Sequence, residues 1–254
     1  MVKPFADHFS SIARQYAAAR PTYPPALFEW LAVQAPGRRH AWDCAAGTGQ
    51  ATLDLADHFD MVTATDASAA QLDQAPPHPR VQYRVAPAES SGLPDESVEL
   101  VTVAQALHWL NLDAFYPEAR RVLGPEGVLA VWCYGLQRLD DPVLDPLLEH
   151  FYSATVGPYW APERQLVESG YRTLFFPFDE VAAPRFEMGL DWTLAELGAY
   201  LRTWSATVRF QRERGTDPVG PLSEQLASVW GGGAARRRVR WPLSLRVGRR
   251  RPPA

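Results

Sequence analysis

One stretch constrains this chain more than any other. His40-Ala41-Trp42-Asp43-Cys44 is a short apolar run that passes directly into Ala45-Ala46-Gly47-Thr48-Gly49, and a helical pattern follows over about 50–58. A strand, a turn of small residues and a helix start, in that order, make the first half of a βαβ unit. Small residues let the backbone approach a ligand, and the helix start offers it unpaired N–H groups. The rhythm continues. Strands are predicted at 61–65, 81–85, 98–103 and 128–133, with helices at about 68–75 and 113–122. Such alternation predicts a parallel sheet with right-handed crossovers, a doubly wound α/β fold.

Flanking segments read differently. Phe9, Ile12, Ala13 and Tyr16 fall on one helical face over 8–20, and a second helix is predicted over about 25–35, after the prolines at 21, 24 and 25. Beyond 140, helices are predicted near 142–155, 162–169, 193–206 and 219–229, separated by irregular aromatic stretches. The chain closes on an alternating segment, 239–247, whose Pro242 suggests an edge or bulge.

Composition excludes several classes. The 254 residues are 46% hydrophobic and 21% charged, which suits a globular chain and no disordered one. No run approaches the roughly 18 apolar residues of a membrane span. No apolar signal segment opens the sequence, and Cys44 and Cys133 are too few for a disulfide framework, so a reducing cytoplasm is expected. No metal-binding spacing occurs, and no metal is expected. Residues 1–230 carry 17 cations against 29 acids, whereas 231–254 carry eight arginines and no acid. The acidic body disfavours nucleic acid as a partner, and the basic end reads as solvated charge around an edge strand. The sequence does not fix an oligomeric state.

Asp66 ends the second strand, 19 residues past Gly47. A carboxylate there can accept both hydroxyls of a ribose, or it can cap the next helix. A dinucleotide fingerprint needs a third glycine where Thr52 stands, and a P-loop needs a lysine, but Lys3 is the only one in the chain.

An acid two residues before a small-residue turn resembles instead the motif of class I S-adenosylmethionine (SAM) methyltransferases. Ala86-Pro87-Ala88-Glu89-Ser90-Ser91-Gly92-Leu93-Pro94 resembles that family's adenine loop. Val103-Ala104-Gln105-Ala106-Leu107-His108-Trp109 resembles its segment after strand four, and Ala119 through Leu129 its passage into strand five. These matches cover about residues 40–135 in the family's order. Residues 16–24, the His108-Trp109 pair and Trp241-Pro242-Leu243 further resemble the trans-aconitate methyltransferase-like group of small-molecule enzymes.

The resemblance implies a Rossmann-like, mostly parallel seven-stranded sheet with an antiparallel C-terminal edge strand and a helical cap. The expected layout is one domain: a lid (1–36), a cofactor-binding core (37–135), a cap with late elements (136–235), and a final strand with a basic tail (236–254). It implies SAM as cofactor. Asp43 would hold the methionine amino group, directly or through water, with the Gln105 backbone nearby. Backbone at Ala45, Gly47 and Gly49 would pass under the cofactor. Asp66 would bind the ribose, Ala67 would flank the adenine, and Ala88 and Glu89 would face its edge. Tyr16 and Arg20 would close over the methionine carboxylate, a task suited to a guanidinium. Two positions depart from the pattern. Ala45 replaces the first glycine of the turn and is expected to need a negative φ. Pro87 stands where the family often has an acid, which leaves adenine recognition to Glu89 or to backbone.

The acceptor is expected to be a small molecule, methylated at oxygen, sulfur or nitrogen, carboxylates included. His108 is the candidate catalytic base, since it follows strand four at the ligand-binding edge; the competing reading is a ring that packs on Trp109 and orients the loop. The other histidines, His40 among them, read as surface. Nine tryptophans are many for this length, and Tyr23, Trp109, Tyr134, Tyr159, Trp160 and Trp204 are candidates to line an acceptor site. Arg209, Arg212 and Arg214 read as a solvated face. The alternatives are a SAM-binding module without catalysis, a methyltransferase acting on a macromolecule, and an NAD-dependent oxidoreductase, the last disfavoured by Thr52 and by the lack of a Tyr-x-x-x-Lys pair.

Overall fold

The structure, a computed structural model, describes residues 21–250. The predicted helix over 8–20, with Tyr16 and Arg20, lies outside the described residues. Helix α1 (Pro25–Gln34) opens the described chain, and β1 (His40–Cys44), α2 (Gln50–Ala56), β2 (Met61–Asp66), α3 (Ala69–Leu72) and β3 (Val81–Val85) follow. Next come β4 (Val98–Ala104), α4 (Leu112–Val122) and β5 (Leu123–Tyr134). The late elements are α5 (Leu144–His150), extended by a π turn to Thr155, then α6 (Arg164–Glu168), β6 (Asp179–Val181), β7 (Glu187–Trp192), α7 (Leu194–Arg202), α8 (Ser205–Arg214), α9 (Val219–Trp230) and β8 (Arg237–Arg249).

The main sheet runs β3-β2-β1-β4-β5-β8-β6. The first five strands pair in parallel, and β8 is antiparallel to β5. The antiparallel last strand is thus present, and the three-residue β6 adds outside it, also antiparallel. β8 is long because it serves two partners in succession. Its first half pairs with β7 as far as Pro242 opposite Glu187, and its second half pairs with β5 from Leu243 opposite Tyr134. Pro242, which cannot donate a hydrogen bond, sits at this changeover. The helix predicted over 193–206 is two helices, α7 and α8, that break at Thr203-Trp204.

Both faces of the sheet are covered, and side chains alternate between them. Leu100 of β4 and Ala130 and Trp132 of β5 join one core with Leu27, Leu31 and Leu55, whereas Val101, Val103, Leu129 and Val131 join the other with Trp42 and Phe115. Burying each large side chain stabilises the fold by roughly 1.5–3 kcal/mol. One acid is buried with these apolar runs. Glu99 accepts Arg39 Nε at 2.8 Å and the His40 backbone N–H at 2.8 Å. His40 is not a surface group. It starts β1, half-buried, with Nδ1 3.2 Å from the Ser97 carbonyl and Nε2 2.9 Å from Thr63 Oγ1. Burial lowers its pKa.

Most arginines of the last strand and its flanks meet acids: Arg236 with Glu196, Arg237 with Asp141, Arg238 with Asp191, Arg240 with Asp140, Arg246 with Glu180 and Arg250 with Glu96, whereas Arg249 donates to the Gln34 carbonyl. The basic end therefore meets the acids of the body. Among the described residues no helix is long and apolar enough to cross a membrane. Strand order reverses at β1, with β2 on one side and β4 on the other, and the loops after β1 and β4 part there to leave a crevice.

Candidate functional site

A cavity of about 480 Å³ opens in that crevice. One part of its wall is the turn after β1. Ala45, Gly47 and Gly49 have φ of 55, 57 and 81°. At Gly47 the left-handed backbone favours glycine, and a Cβ there would also crowd Gln71 Oε1 at 3.0 Å. The expectation that Ala45 needs a negative φ is therefore wrong. The turn must reverse the chain between β1 and α2, and that geometry overrides a local cost of roughly 1–2 kcal/mol for a left-handed L-residue.

Asp66 locks this turn to the end of β2. One carboxylate oxygen accepts Gly47 N–H at 2.8 Å and the other accepts Ser68 N–H at 2.8 Å. Ser68, and not Asp66, caps α3. Asp43 lies behind the turn, 1% exposed and absent from the cavity wall, as is Gly49. Thr52 and Thr102 each donate a hydroxyl to Asp43, at 2.6 and 2.8 Å. Burial outweighs these bonds and raises the Asp43 pKa from 3.8 to about 6, with the Asp66 charge adding to the rise.

A second part of the wall comes from the loop after β3, where Pro87, Ala88 and Glu89 face the cavity beside Ala67. The loop is anchored from below. Ser91 donates both N–H and hydroxyl to the buried Glu118, which Arg121 also holds. Glu89 Oε1 accepts the Asn111 N–H at the start of α4, 3.0 Å away. After β4, Gln105 adopts φ 55°, and its side-chain amide exchanges two hydrogen bonds with the Tyr134 backbone, at 2.7 and 3.1 Å.

Opposite stands an aromatic wall of Tyr23, Trp109, Tyr134, Trp160, Tyr200 and Trp204. Trp204 packs on Trp160 at 5.6 Å and on Tyr200 at 5.9 Å. Tyr159 is not part of this wall. Its ring packs on Phe210 at 5.0 Å, and its hydroxyl accepts Arg214 Nε at 2.6 Å. Arg214, read from sequence as solvated, thus fastens α8 to the turn at 157–159.

His108 lines the cavity, with its ring 4.6 Å from that of Trp109. Its Nδ1 lies 2.8 Å from the hydroxyl of Tyr171, a fully buried residue that sequence reasoning missed. Tyr171 is held by strained backbone. Gly170 and Tyr171 both have φ of 61°, and a Cβ at Gly170 would meet Ser244 Oγ at 2.6 Å. The local signal was a glycine closing the α6 pattern, which marks a helix end but not what the next side chain reaches. Burial keeps the Tyr171 phenol neutral, with the buried Cys133 close by, whose thiol faces the Val167 carbonyl. Arg164, also missed, lines the same wall.

The residues present fit an adenosyl cofactor. The turn is held in a form that side chains would fill, Asp66 and Glu89 present carboxylates at separate points, and the volume lies within the roughly 300–1,000 Å³ of small-ligand sites. Comparison with known proteins agrees. The family described as "Methyltransferase domain" matches residues 42–131. A Dictyostelium discoideum protein named as a candidate methyltransferase is 33% identical over 231 residues, 89% of this chain and 87% of its own length. A Saccharomyces cerevisiae protein, named as a candidate S-adenosylmethionine-dependent methyltransferase, is 31% identical over 128 residues, 47% of this chain and 44% of its own. The solved structure of a candidate type II methyltransferase from Anaeromyxobacter dehalogenans superposes with a TM-score of 0.87 at 46% identity, covering 92% of this chain and 99% of that one. With the turn, the two carboxylates and the reversed strand order in place, the chain belongs to the class I SAM-dependent methyltransferases.

Proposed function

We propose that the chain transfers a methyl group by direct displacement to a small-molecule acceptor, at oxygen, sulfur or nitrogen, carboxylates included. We place it in the trans-aconitate methyltransferase-like group that its sequence resembles. The observation that carries the reading is a single cavity reaching from the glycine turn to Trp160 and Trp204. It offers room for a cofactor and a second, flat molecule side by side.

Bound SAM supplies a methyl group already activated by its sulfonium, so the chain has only to align the partners and exclude water. In this reading Asp66, a carboxylate on the cavity wall at the end of β2, takes the ribose hydroxyls. Ala67 flanks the adenine, and Ala88 and Glu89 face its edge. The backbone of Ala45, Gly47 and Gln105 borders the methionine part. Asp43 acts from behind the turn by its charge or through water. Tyr16 and Arg20 keep their assignment over the methionine carboxylate. The aromatic wall of Tyr23, Trp109, Tyr134, Trp160 and Trp204 receives the acceptor. Where the acceptor carries a proton, His108 takes it at Nε2. For that, Nδ1 keeps its hydrogen and donates it to the Tyr171 oxygen. Residues 1–36 serve as lid, 37–135 as cofactor core, 136–235 as cap and 236–254 as last strand and tail. Cys44 and Cys133, both buried thiols, suit the reducing cytoplasm assigned to the chain.

Calorimetric titration with SAM, S-adenosylhomocysteine (SAH) and NAD tests the cofactor assignment. The adenosyl ligands are expected to bind and NAD is not. Asp66→Ala and Asp66→Asn are each expected to weaken SAH at least tenfold, about 1.4 kcal/mol. Unchanged SAH affinity in folded Asp66 variants would remove Asp66 from the site. SAH production over a panel of metabolites then identifies the acceptor, and a wild-type protein that binds SAM but methylates nothing across it would favour the non-catalytic alternative.

A further inference from the structure

Strand β4 ends at the cavity two residues short of its neighbour β5, and one side chain makes up the difference. Ala104, the last residue of β4, is in register with Trp132, and the Gln105 N–H still reaches the Trp132 carbonyl at 2.8 Å. A parallel ladder that continued would bring the Tyr134 N–H to the Gln105 carbonyl, and the Leu107 N–H to the Tyr134 carbonyl. The Gln105 carboxamide takes both places. Its Oε1 accepts the Tyr134 N–H at 2.7 Å, and its Nε2 donates to the Tyr134 carbonyl at 3.1 Å. The side chain thus stands in for the next peptide unit of β4, while the backbone turns away at φ 55° along the cavity wall.

This substitution of side chain for backbone is specific to glutamine. An ionised glutamate would set an oxygen against the Tyr134 carbonyl, and a methionine would make neither bond. Glycine is the default at a left-handed φ, and a residue with a Cβ is disfavoured there unless its side chain offsets the strain. The two amide bonds do so, and they release the backbone at 105–106 to the wall that Ala45 and Gly47 also line. We propose that Gln105 is a positioning residue: its carboxamide holds the backbone of 105–106 in place for the amino-acid half of the cofactor by clamping it to the end of β5. Without the clamp, binding must itself order that backbone, which lowers affinity. The proposal rests on reading the cavity as a SAM site with the Gln105 backbone beside the methionine part.

The test uses the full chain, titrated calorimetrically with SAH and with 5′-methylthioadenosine, which keeps the nucleoside and lacks the amino-acid half. Gln105→Met keeps the length of the side chain and removes both bonds. It is expected to weaken SAH at least tenfold and methylthioadenosine less than twofold. Gln105→Gly suits the left-handed backbone but also removes both bonds, and the same split is expected. Full SAH affinity in Gln105→Met would overturn the proposal, because the side chain would then only fill space. Full SAH affinity in Gln105→Gly would also overturn it, because backbone shape alone would suffice. So would an equal loss for both ligands, since the damage would then extend beyond the amino-acid half. If Gln105→Met fails to fold, Gln105→Gly decides by the same ratio. A wild type that binds neither ligand defeats the underlying reading, whereas wild-type binding with a ratio unchanged in the variants defeats this inference alone.

Discussion

Asp43 is an ionisable group that the fold disfavours in its charged form. Its pKa rises from 3.8 to about 6 because burial removes the carboxylate from water, and the Thr52 and Thr102 hydroxyls offset only part of that cost. The folded chain therefore keeps the proton to a higher pH than the unfolded chain does. Stability is greatest while both forms are protonated, below about pH 4, and falls as pH rises through the window between the two values. Above it the full difference is lost, about 3 kcal/mol at 1.36 kcal/mol per pH unit. Asp43→Asn copies the protonated shape without the charge. At pH 8 it should stabilise the ligand-free protein by about 3 kcal/mol, or roughly 6–12 °C in Tm for a chain of this size. At pH 5 the folded carboxyl is largely protonated while the unfolded one is ionised, and the advantage should shrink to about 1.6 kcal/mol. Thermal unfolding of both proteins at the two pH values measures this directly. A variant less stable than wild type at pH 8, or a difference independent of pH, would refute the reasoning and show that the threonine bonds to the carboxylate dominate. The same titrations with SAM ask why a destabilising charge is present. Asp43→Asn is expected to lose cofactor affinity as it gains stability, because in the proposed reading the buried charge acts on the methionine amino group from behind the turn.

Ala45→Gly relieves a left-handed alanine, at φ 55°, but adds freedom to the unfolded chain. It should stabilise by about 0.5–1 kcal/mol in denaturant unfolding, and a loss would mean that the alanine methyl group packs usefully. Tyr171→Phe deletes the hydroxyl 2.8 Å from His108 Nδ1 and should lower kcat roughly 10- to 100-fold, the worth of a buried hydrogen bond to a charged ring, with SAH affinity unchanged. A change in KM alone would assign Tyr171 to packing.

How much of this was legible follows from which forces are local. The core strands read correctly because both sheet faces are covered, so β4 and β5 carry nearly unbroken apolar runs. The turn and Asp66 read from spacing, and Glu89 from the family resemblance of its loop, because short segments fix them at one sheet edge. β6 and β7 did not, since each exists only by pairing with β8, about 50–70 residues downstream. The break between α7 and α8 also escaped, because Thr203 turns its hydroxyl onto the Tyr200 carbonyl within a pattern that still looks helical.

The acceptor half was harder for a specific reason. Tyr159 and Trp160 are neighbours of the same chemical kind, yet one binds Arg214 and Phe210 while the other stacks under Arg164 at the cavity. Their sorting is decided by the short turn at 157–159 and by partners as distant as α8. Composition reports an aromatic site without saying which rings form it. The same holds for charge. Arg164 and Arg214 each donate Nε to a tyrosine hydroxyl, at 2.7 and 2.6 Å, so their local chemistry is alike. What separates them is that Arg164 also stacks and lines the cavity, whereas Arg214 braces a helix end. In the proposed reading, acceptor specificity therefore resides in tertiary placement of common residue types. A variant series aimed at it should begin with Trp160 and Arg164, where placement and chemistry coincide, and should leave Tyr159 as the control that changes the cap without touching the site.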